Sequence, residues 1–122
     1  MVIHQVTHNE LTDNQLEIFI ESGRNVPPPS PSEKTVSSYL WLEFPYPSVE
    51  SPQKFKSKTI SNNVHPKWNA TWIVKIDRKK SLLRVVQKKK VHVEVFHASG
   101  WFSRDKCVGE YLVCLQYSIV FC

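Results

Sequence analysis

Apolar and polar residues alternate with a period of two along most of the chain. The stretch 15–21 places Leu16, Ile18 and Ile20 on one face and Glu17 and Glu21 on the other, and this alternation predicts a half-buried β-strand. The same pattern predicts strands over residues 39–44, 54–60, 68–76, 91–96 and 108–115, with weaker candidates at 2–7 and 118–121.

Prolines and one short amphipathic segment separate these strands. Pro45 and Pro47 are expected to end the strand 39–44 because proline removes a ladder donor, and the proline-rich segment 22–38 predicts a long exposed loop. Residues 78–90 fit a short helical insert better than a strand. The fold class that follows is all-β, an antiparallel eight-stranded β-sandwich with one short helix.

The composition is that of a single soluble globular domain. The chain has 122 residues, of which 41% are hydrophobic and 22% are charged. No apolar run is long enough to span a bilayer, and the first residues lack the pattern of a secretory signal. Cys107, Cys114 and Cys122 form no pair with metal-binding spacing, so we expect reduced thiols in a cytoplasmic protein.

Charge is distributed unevenly along the chain. Residues 1–53 carry 2 basic and 7 acidic side chains, net −5, whereas residues 54–122 carry 14 basic and 4 acidic ones, net +10. Such a separation indicates an oriented surface for an anionic partner, which can be lipid headgroups, nucleic acid or an acidic protein. The alternative is a solvated surface whose charges are merely ordered this way in the sequence.

Three stretches, taken in order, resemble the C2 domain family. They are the strand 16–22 with the long loop and the run 38–42 that follow it; the run 58–72, in which Pro66 precedes Trp68 and Asn69; and the run 91–110, which contains Asp105. The resemblance covers residues 15–115. It implies that residues 1–122 form one C2 domain, a Greek-key β-sandwich.

Further runs resemble the coiled-coil and C2 domain-containing family, which includes the lethal giant discs proteins. They are residues 42–48, 84–89 and 97–102. This resemblance implies a module of a larger scaffold that works near endosomal membranes and the membrane-scission machinery, or in signalling regulation. The expected location is cytoplasmic, peripheral on endosomal or other membranes. C2 domains of centriolar and ciliary scaffolds, at the centrosome or the base of the cilium, can share these features.

The acidic residues do not fit a calcium site. Ca²⁺ takes 6–8 oxygen ligands, and calcium-binding C2 domains supply them from three loops at one end of the sandwich. Here the first loop contains Glu33 alone, the third loop keeps Asp105, and His97 and Ser99 fall at its other acidic positions. We therefore expect a calcium-independent domain with no metal and no cofactor.

The resemblance places Lys54, Lys56 and Lys58 on a strand that forms a lysine-rich surface in several C2 domains, with Lys75 joining from an adjoining strand. Repelling lysines at i, i+2 and i+4 gain stability when a polyanion binds, so these residues are candidates for binding a membrane or a partner. The alternative is that lysines on an edge strand deter aggregation.

The third loop offers an apolar anchor. Trp101 and Phe102 lie at its expected tip beside Arg104 and Lys106, and tryptophan favours the membrane interface. In the competing interpretation one aromatic, Phe102 rather than Trp101, folds back onto the sandwich. A second basic patch flanks the helical insert and consists of Arg78, Lys79, Lys80, Lys88, Lys89 and Lys90.

The sequence argues against nucleic-acid recognition and against catalysis. No helix of useful length is available to read bases, so the second basic patch predicts at most non-specific backbone binding. The five histidines are scattered, and no nucleophile and base occur at a sequence spacing typical of a catalytic pair. The chain is therefore not expected to be an enzyme.

Together these observations predict a calcium-independent module that binds anionic phospholipid membranes, a protein partner, or both. The alternative is a protein-docking domain of a centriolar or ciliary scaffold that does not bind lipid. The domain is expected to be monomeric, although an incomplete last strand at residues 116–122 would leave an edge open to self-association.

Overall fold

The computed structural model describes residues 1–12, 15–48, 50–75 and 91–113. In chain order the strands are β1 (Val2–Thr12), β2 (Gln15–Arg24), β3 (Ser38–Pro47), β4 (Pro52–Lys56), β5 (Lys67–Lys75), β6 (Val91–His97) and β7 (Lys106–Val113). All pairings are antiparallel. One sheet has the order β1-β2-β5 and the other the order β4-β3-β6-β7, which confirms the all-β sandwich.

The described residues contain seven strands rather than the expected eight. The weak candidate at 2–7 is part of β1. The candidate strand 118–121 and the helical insert 78–90 lie outside the described residues. Within the described ranges, helical structure is limited to a three-residue 3-10 turn, Gly100–Phe102, and no helix there is long and apolar enough to cross a membrane.

Two expected strand ends are wrong. β3 continues through Pro45 to Pro47, and proline is tolerated there because the register of β3 with β6 stops at Glu43. β4 ends at Lys56 rather than at residue 60, since the Ser57 hydroxyl accepts the Leu40 N–H at 2.8 Å and takes the place of a backbone carbonyl in the ladder.

Alternating residues of both sheets face inward and form one core. Leu16, Ile18 and Ile20 are at most 1% exposed, and Trp72 and Val74 of β5 are buried with them, as the alternation predicts. Pairwise burial of these apolar surfaces is the main stabilising contribution to the fold. The remaining buried hydrophobic residues include Leu40, Leu42, Phe44, Trp68, Val91, Val93 and Val95.

Among the described residues, Trp68 is the largest fully buried side chain, and it lies at the loop end of the sandwich. Its indole Nε1 donates to the carbonyl and the hydroxyl oxygen of Ser38, at 3.3 and 3.2 Å, so the buried N–H is satisfied. The ring lies close against Gly23, where a Cβ would meet the indole at 2.6 Å. A glycine is therefore required at this contact.

Candidate functional site

Three loops meet at one end of the sandwich and are joined by backbone hydrogen bonds. We call them loop one (residues 25–37), loop two (57–66) and loop three (98–105). Loop one bonds to loop two through Val26 N to Val64 O and Asn63 N to Val36 O, each at 2.9 Å, and to loop three through Ala98 N to Ser37 O at 2.8 Å. The loops therefore hold each other in position.

Two histidines secure the ends of loop one. His65 Nδ1 accepts the Asn25 N–H at 3.1 Å, and His97 Nδ1 accepts the Ser37 N–H at 3.2 Å. Asn25 has a φ of 56°, a conformation that asparagine adopts more readily than most residues. Both imidazoles thus accept hydrogen bonds from backbone N–H groups, a role that their scattered positions in the sequence do not reveal.

Asp105, the acidic residue kept in loop three, is exposed, but both of its carboxylate oxygens are bonded to other residues of the chain. Its Oδ2 accepts the Tyr39 hydroxyl at 2.6 Å, and its Oδ1 accepts the Ser99 N–H at 3.1 Å. The Tyr39 bond, with the Ser99 N–H, lowers the pKa of Asp105. Burial, reinforced by the Asp105 carboxylate, raises the pKa of Tyr39 to about 12. This carboxylate fastens loop three to β3.

Loop three presents Trp101 at its tip. Gly100 has a φ of 77°, which glycine adopts without steric cost, and Trp101 in the following turn is 99% exposed. Arg104 is also exposed. The side chain of Phe102 lies outside what the structure describes, so its expected contact with the sandwich stays a prediction.

Lys106 differs from its neighbours at this end of the molecule. Its Nζ donates a hydrogen bond to the carbonyl oxygen of Pro29 in loop one. This ammonium group therefore links the start of β7 to loop one, and a headgroup would have to compete with Pro29 for it. The structure brings Lys106 close to the tip but gives it a structural role that its sequence position does not indicate.

Two of the three candidate lysines lie on β4, an edge strand. Lys54 and Lys56 are exposed on the outer face of the four-stranded sheet, and Lys58 is exposed just after the strand ends. Lys56 Nζ lies 4.4 Å from the centroid of the Tyr39 ring, a cation–π distance. Through Tyr39 and Asp105 the lysine edge is connected directly to loop three.

Lys75 does not share a face with these lysines. It ends β5, which is the edge strand of the other sheet among the described residues. The Gln53 side chain bonds to the backbone of Lys75, so β4 and β5 are adjacent. Lys75 and Lys54 therefore lie on opposite sides of a seam between the two sheets.

The charged residues on the rest of the outer face of the four-stranded sheet include three glutamates. Glu43 is the cross-strand partner of Lys54, and Glu94 is the partner of Glu110. His92 lies between the last two, bonded to Glu110 and 3.6 Å from Glu94. Positive charge is thus concentrated at the β4 edge and does not extend across the sheet.

A seam groove of about 310 Å³ lies between the edges of β4 and β5. Its lining includes Lys56 and Lys58 on the side of β4, and Trp68, Thr71 and Trp72 on the side of β5. Among the described residues, no group of three histidine, cysteine or acidic side chains is placed to hold a metal ion. The second basic patch, with Arg78, Lys79, Lys80, Lys88, Lys89 and Lys90, lies outside the described residues.

Comparisons with known proteins agree with this geometry. The family model described as C2 domain matches residues 14–119. Coiled-coil and C2 domain-containing protein 1B of Xenopus laevis is 36% identical over 104 residues, covering 83% of this chain and 12% of the relative. Coiled-coil and C2 domain-containing protein 1A of Homo sapiens is 33% identical over 102 residues, covering 82% of this chain and 11% of the relative. The chain thus spans about an eighth of the length of these relatives.

Solved structures give the same picture. One of CC2D1B, described as coordinating ESCRT-III activity during the mitotic reformation of the nuclear envelope, superposes with a TM-score of 0.77 at 27% identity and covers 87% of this chain and 43% of that one. A C2 domain of RIM from Drosophila superposes with a TM-score of 0.64 at 17% identity, over 82% of this chain and 74% of that one. The second likeness concerns the fold alone.

Proposed function

The chain belongs to the C2 domain family, and from that premise we propose that it is a non-enzymatic, calcium-independent module for peripheral binding to anionic phospholipid membranes. The observation that carries the proposal is the connected arrangement of a lysine edge and an exposed indole. Lys56 contacts Tyr39, Tyr39 bonds to Asp105, and Asp105 holds the loop that presents Trp101. One membrane surface could therefore be met by charge and by an aromatic anchor together.

The charges support weak attachment by the edge of the sheet rather than by its whole face. Each lysine close to an anionic leaflet contributes roughly 1 kcal/mol, so Lys54, Lys56 and Lys58 supply about 3 kcal/mol, short of the 4.1 kcal/mol of a millimolar complex. Glu94 on β6 and Glu110 on β7 repel the same surface. Insertion of Trp101 and attachment to a larger protein would have to provide the rest.

Calcium independence is supported by the state of Asp105. Both of its oxygens accept hydrogen bonds from the protein itself, and a divalent ion needs several further carboxylates that converge on it. The Lys56 ammonium group adds positive charge near Asp105. A calcium ion would have to displace the Tyr39 hydroxyl and overcome this charge.

The relatives suggest where such a module works. Because CC2D1B is described as coordinating ESCRT-III activity at the reforming nuclear envelope, we place this chain within a larger scaffold that acts in membrane remodelling or trafficking. It would be cytoplasmic and peripheral on endosomal or other membranes. The rest of such a scaffold would multiply the weak attachment of the single domain.

Cosedimentation with liposomes of graded phosphatidylserine content tests the proposal, in EDTA and in calcium. We expect binding that rises with the anionic fraction, falls with salt and is the same in both. Lys56→Ala should weaken it about fivefold, the equivalent of about 1 kcal/mol. Lys67→Ala removes another exposed lysine, from β5 of the other sheet, and serves as the matched control. Equal losses in both variants, or binding that requires calcium, would contradict the proposal.

Protein docking is the second candidate function, favoured by the mixed charge of the outer sheet face. Half-buried Trp41 lies between Lys56 on β4 and Glu94 on β6, a mosaic that suits a folded protein surface better than a uniformly anionic one. A domain of a centriolar or ciliary scaffold could use it. Failure to bind liposomes of any composition would shift the conclusion to this candidate.

A further inference from the structure

The edge strands β4 and β5 border the seam between the two sheets. The backbone of β5 already binds the side-chain amide of Gln53 in the way that it would bind a neighbouring strand. The Gln53 side chain donates from Nε2 to the carbonyl oxygen of Lys75 and accepts the Lys75 N–H at Oε1, both at 2.8 Å. This is the pair of bonds that a residue of an adjacent β-strand would make. At Lys75, the backbone of β5 therefore points into the seam.

The same orientation recurs two and four residues earlier. In an antiparallel ladder every second residue bonds to a given neighbour, and the register of β2 with β5 is regular from Lys75 back to Ala70. The backbone N–H and C=O groups of Lys75 point away from β2, so those of Ile73 and Thr71 do so too. Their two N–H and two C=O groups line the seam, beyond the point where the Gln53 side chain closes it.

We propose that the β5 edge between Thr71 and Ile73 is a docking site for an extended acidic peptide, which adds to the three-stranded sheet as a further strand. This mode of recognition takes its affinity from main-chain hydrogen bonds and its specificity from alternate side chains. The peptide site shares Lys56 and Lys58 with the lysine edge of the proposed membrane site, but its main-chain bonds come from β5, and it does not depend on membrane binding.

The charge around the seam selects an acidic occupant. Lys56 and Lys58 line the opposite wall of the seam groove, and Lys67 and Lys75 are exposed at the two ends of β5. A strand paired with β5 would direct every second side chain towards Lys56 and Lys58. Its other side chains would lie beside Lys67 and Lys75. Glutamate or aspartate in these positions would find opposite charges on both sides.

The same lysines argue against a second copy of this chain as the occupant. Two β5 strands paired antiparallel about Thr71 would bring Lys67 of each copy opposite Lys75 of the other. Like charges directly opposite each other destabilise a pair of strands, and exposed lysines are a recognised means of preventing edge-to-edge association. The lysines thus disfavour pairing of β5 with β5 of a second copy, while the backbone of β5 stays available to an acidic strand.

The test uses the whole 122-residue chain and a fluorescently labelled peptide of about seven residues with alternating glutamate and valine, enough to cover Thr71 and Ile73 at roughly 3.4 Å per residue. Its partner probe has the same sequence with the two central amides N-methylated, which removes the donors and keeps the charge. We expect the N-methylated probe to bind about threefold to tenfold more weakly for each bond lost, by fluorescence anisotropy.

On the protein side, Thr71→Pro removes the N–H that faces the seam, and proline is tolerated in an edge strand at such a position. It should weaken binding of the unmodified peptide by the same threefold to tenfold. Thr71→Val, which keeps the N–H, should bind like the parent. Lys58→Ala should weaken binding and reduce its dependence on salt.

Equal binding of the methylated and unmodified peptides would overturn the inference, and this comparison stands even if Thr71→Pro does not fold. So would competition by phosphatidylserine vesicles without any effect of methylation, since that would identify a headgroup site. A dimer in sedimentation velocity that Thr71→Pro dissociates would assign the edge to a second copy and reject the peptide. Liposome binding with no peptide binding would reject this inference and leave the proposed function intact.

Discussion

At Gly23 the addition of a single methyl group should lower the stability of the fold. A Cβ added there would lie 2.6 and 2.8 Å from two carbon atoms of the Trp68 indole and 3.3 Å from a methyl group of Val26. The indole cannot yield freely, because its Nε1 is bonded to two oxygen atoms of Ser38. Gly23→Ala must therefore move a rigid ring in a packed core.

The cost follows from these contacts. Overpacking a core costs about 1–3 kcal/mol, and weakening the indole hydrogen bonds adds about 0.5–1.5 kcal/mol, so we expect Gly23→Ala to lower the free energy of unfolding by about 2–4 kcal/mol. With an unfolding entropy of roughly 2.1 cal/mol/K per residue, a chain of 122 residues should lose about 4 °C in Tm per kcal/mol. Urea unfolding and differential scanning calorimetry measure the two quantities.

A matched control is available at Gly109. A Cβ there meets only the flexible end of the Met1 side chain, so Gly109→Ala should change stability little. Trp68→Phe combined with Gly23→Ala should show a favourable coupling in a double-mutant cycle, because the smaller ring makes room. An unchanged or raised Tm in Gly23→Ala, the usual outcome of replacing an unconstrained glycine, would refute the packing argument.

Three further predictions concern the site. The folded-state pKa of Asp105 is lowered, chiefly by the Tyr39 bond, so its carboxylate stabilises the fold above the usual carboxyl pKa, and this contribution is lost as the pH falls through the folded-state pKa. Asp105→Asn should therefore reduce the loss of stability at acidic pH, measured by urea unfolding at several pH values. An unchanged dependence of stability on acidic pH would contradict the assignment. Ser57→Ala should cost about 1–3 kcal/mol because it leaves the buried Leu40 N–H without the hydroxyl at 2.8 Å; a loss below about 0.5 kcal/mol by calorimetry would mean that another acceptor replaces it. Trp101→Ser should leave the free energy of unfolding within about 0.5 kcal/mol, since the side chain is 99% exposed, while reducing liposome binding.

The strands could be predicted because each has one buried face. Leu16, Ile18 and Ile20 alternate with polar residues, and the structure buries all three. Strand ends were less accessible to sequence reasoning, because they depend on neighbours. Pro45 lies within β3 since that part of the strand has left the register with β6, a fact about pairing that no local pattern contains.

The candidate site was predictable in its residue types but not in its connections. Asp105 is visible in the sequence as a single acidic residue, whereas its bond to Tyr39 joins positions 66 residues apart. Lys106 reads as one more cation until its bond to Pro29 is seen. The alternation of apolar and polar residues around Lys54 and around Lys75 predicts that both are exposed. It does not predict that they belong to different sheets.

The unequal burial of the four tryptophans has an optical consequence. Trp68 and Trp72 are buried, Trp41 is half-buried, and Trp101 extends fully into solvent. Iodide, which quenches the emission of exposed indoles, should therefore act mainly on Trp101. If the tip enters a lipid interface, the emission shifts to shorter wavelength and the quenching falls. The unlabelled protein thus carries an intrinsic fluorescent probe at the point where contact with a membrane is proposed.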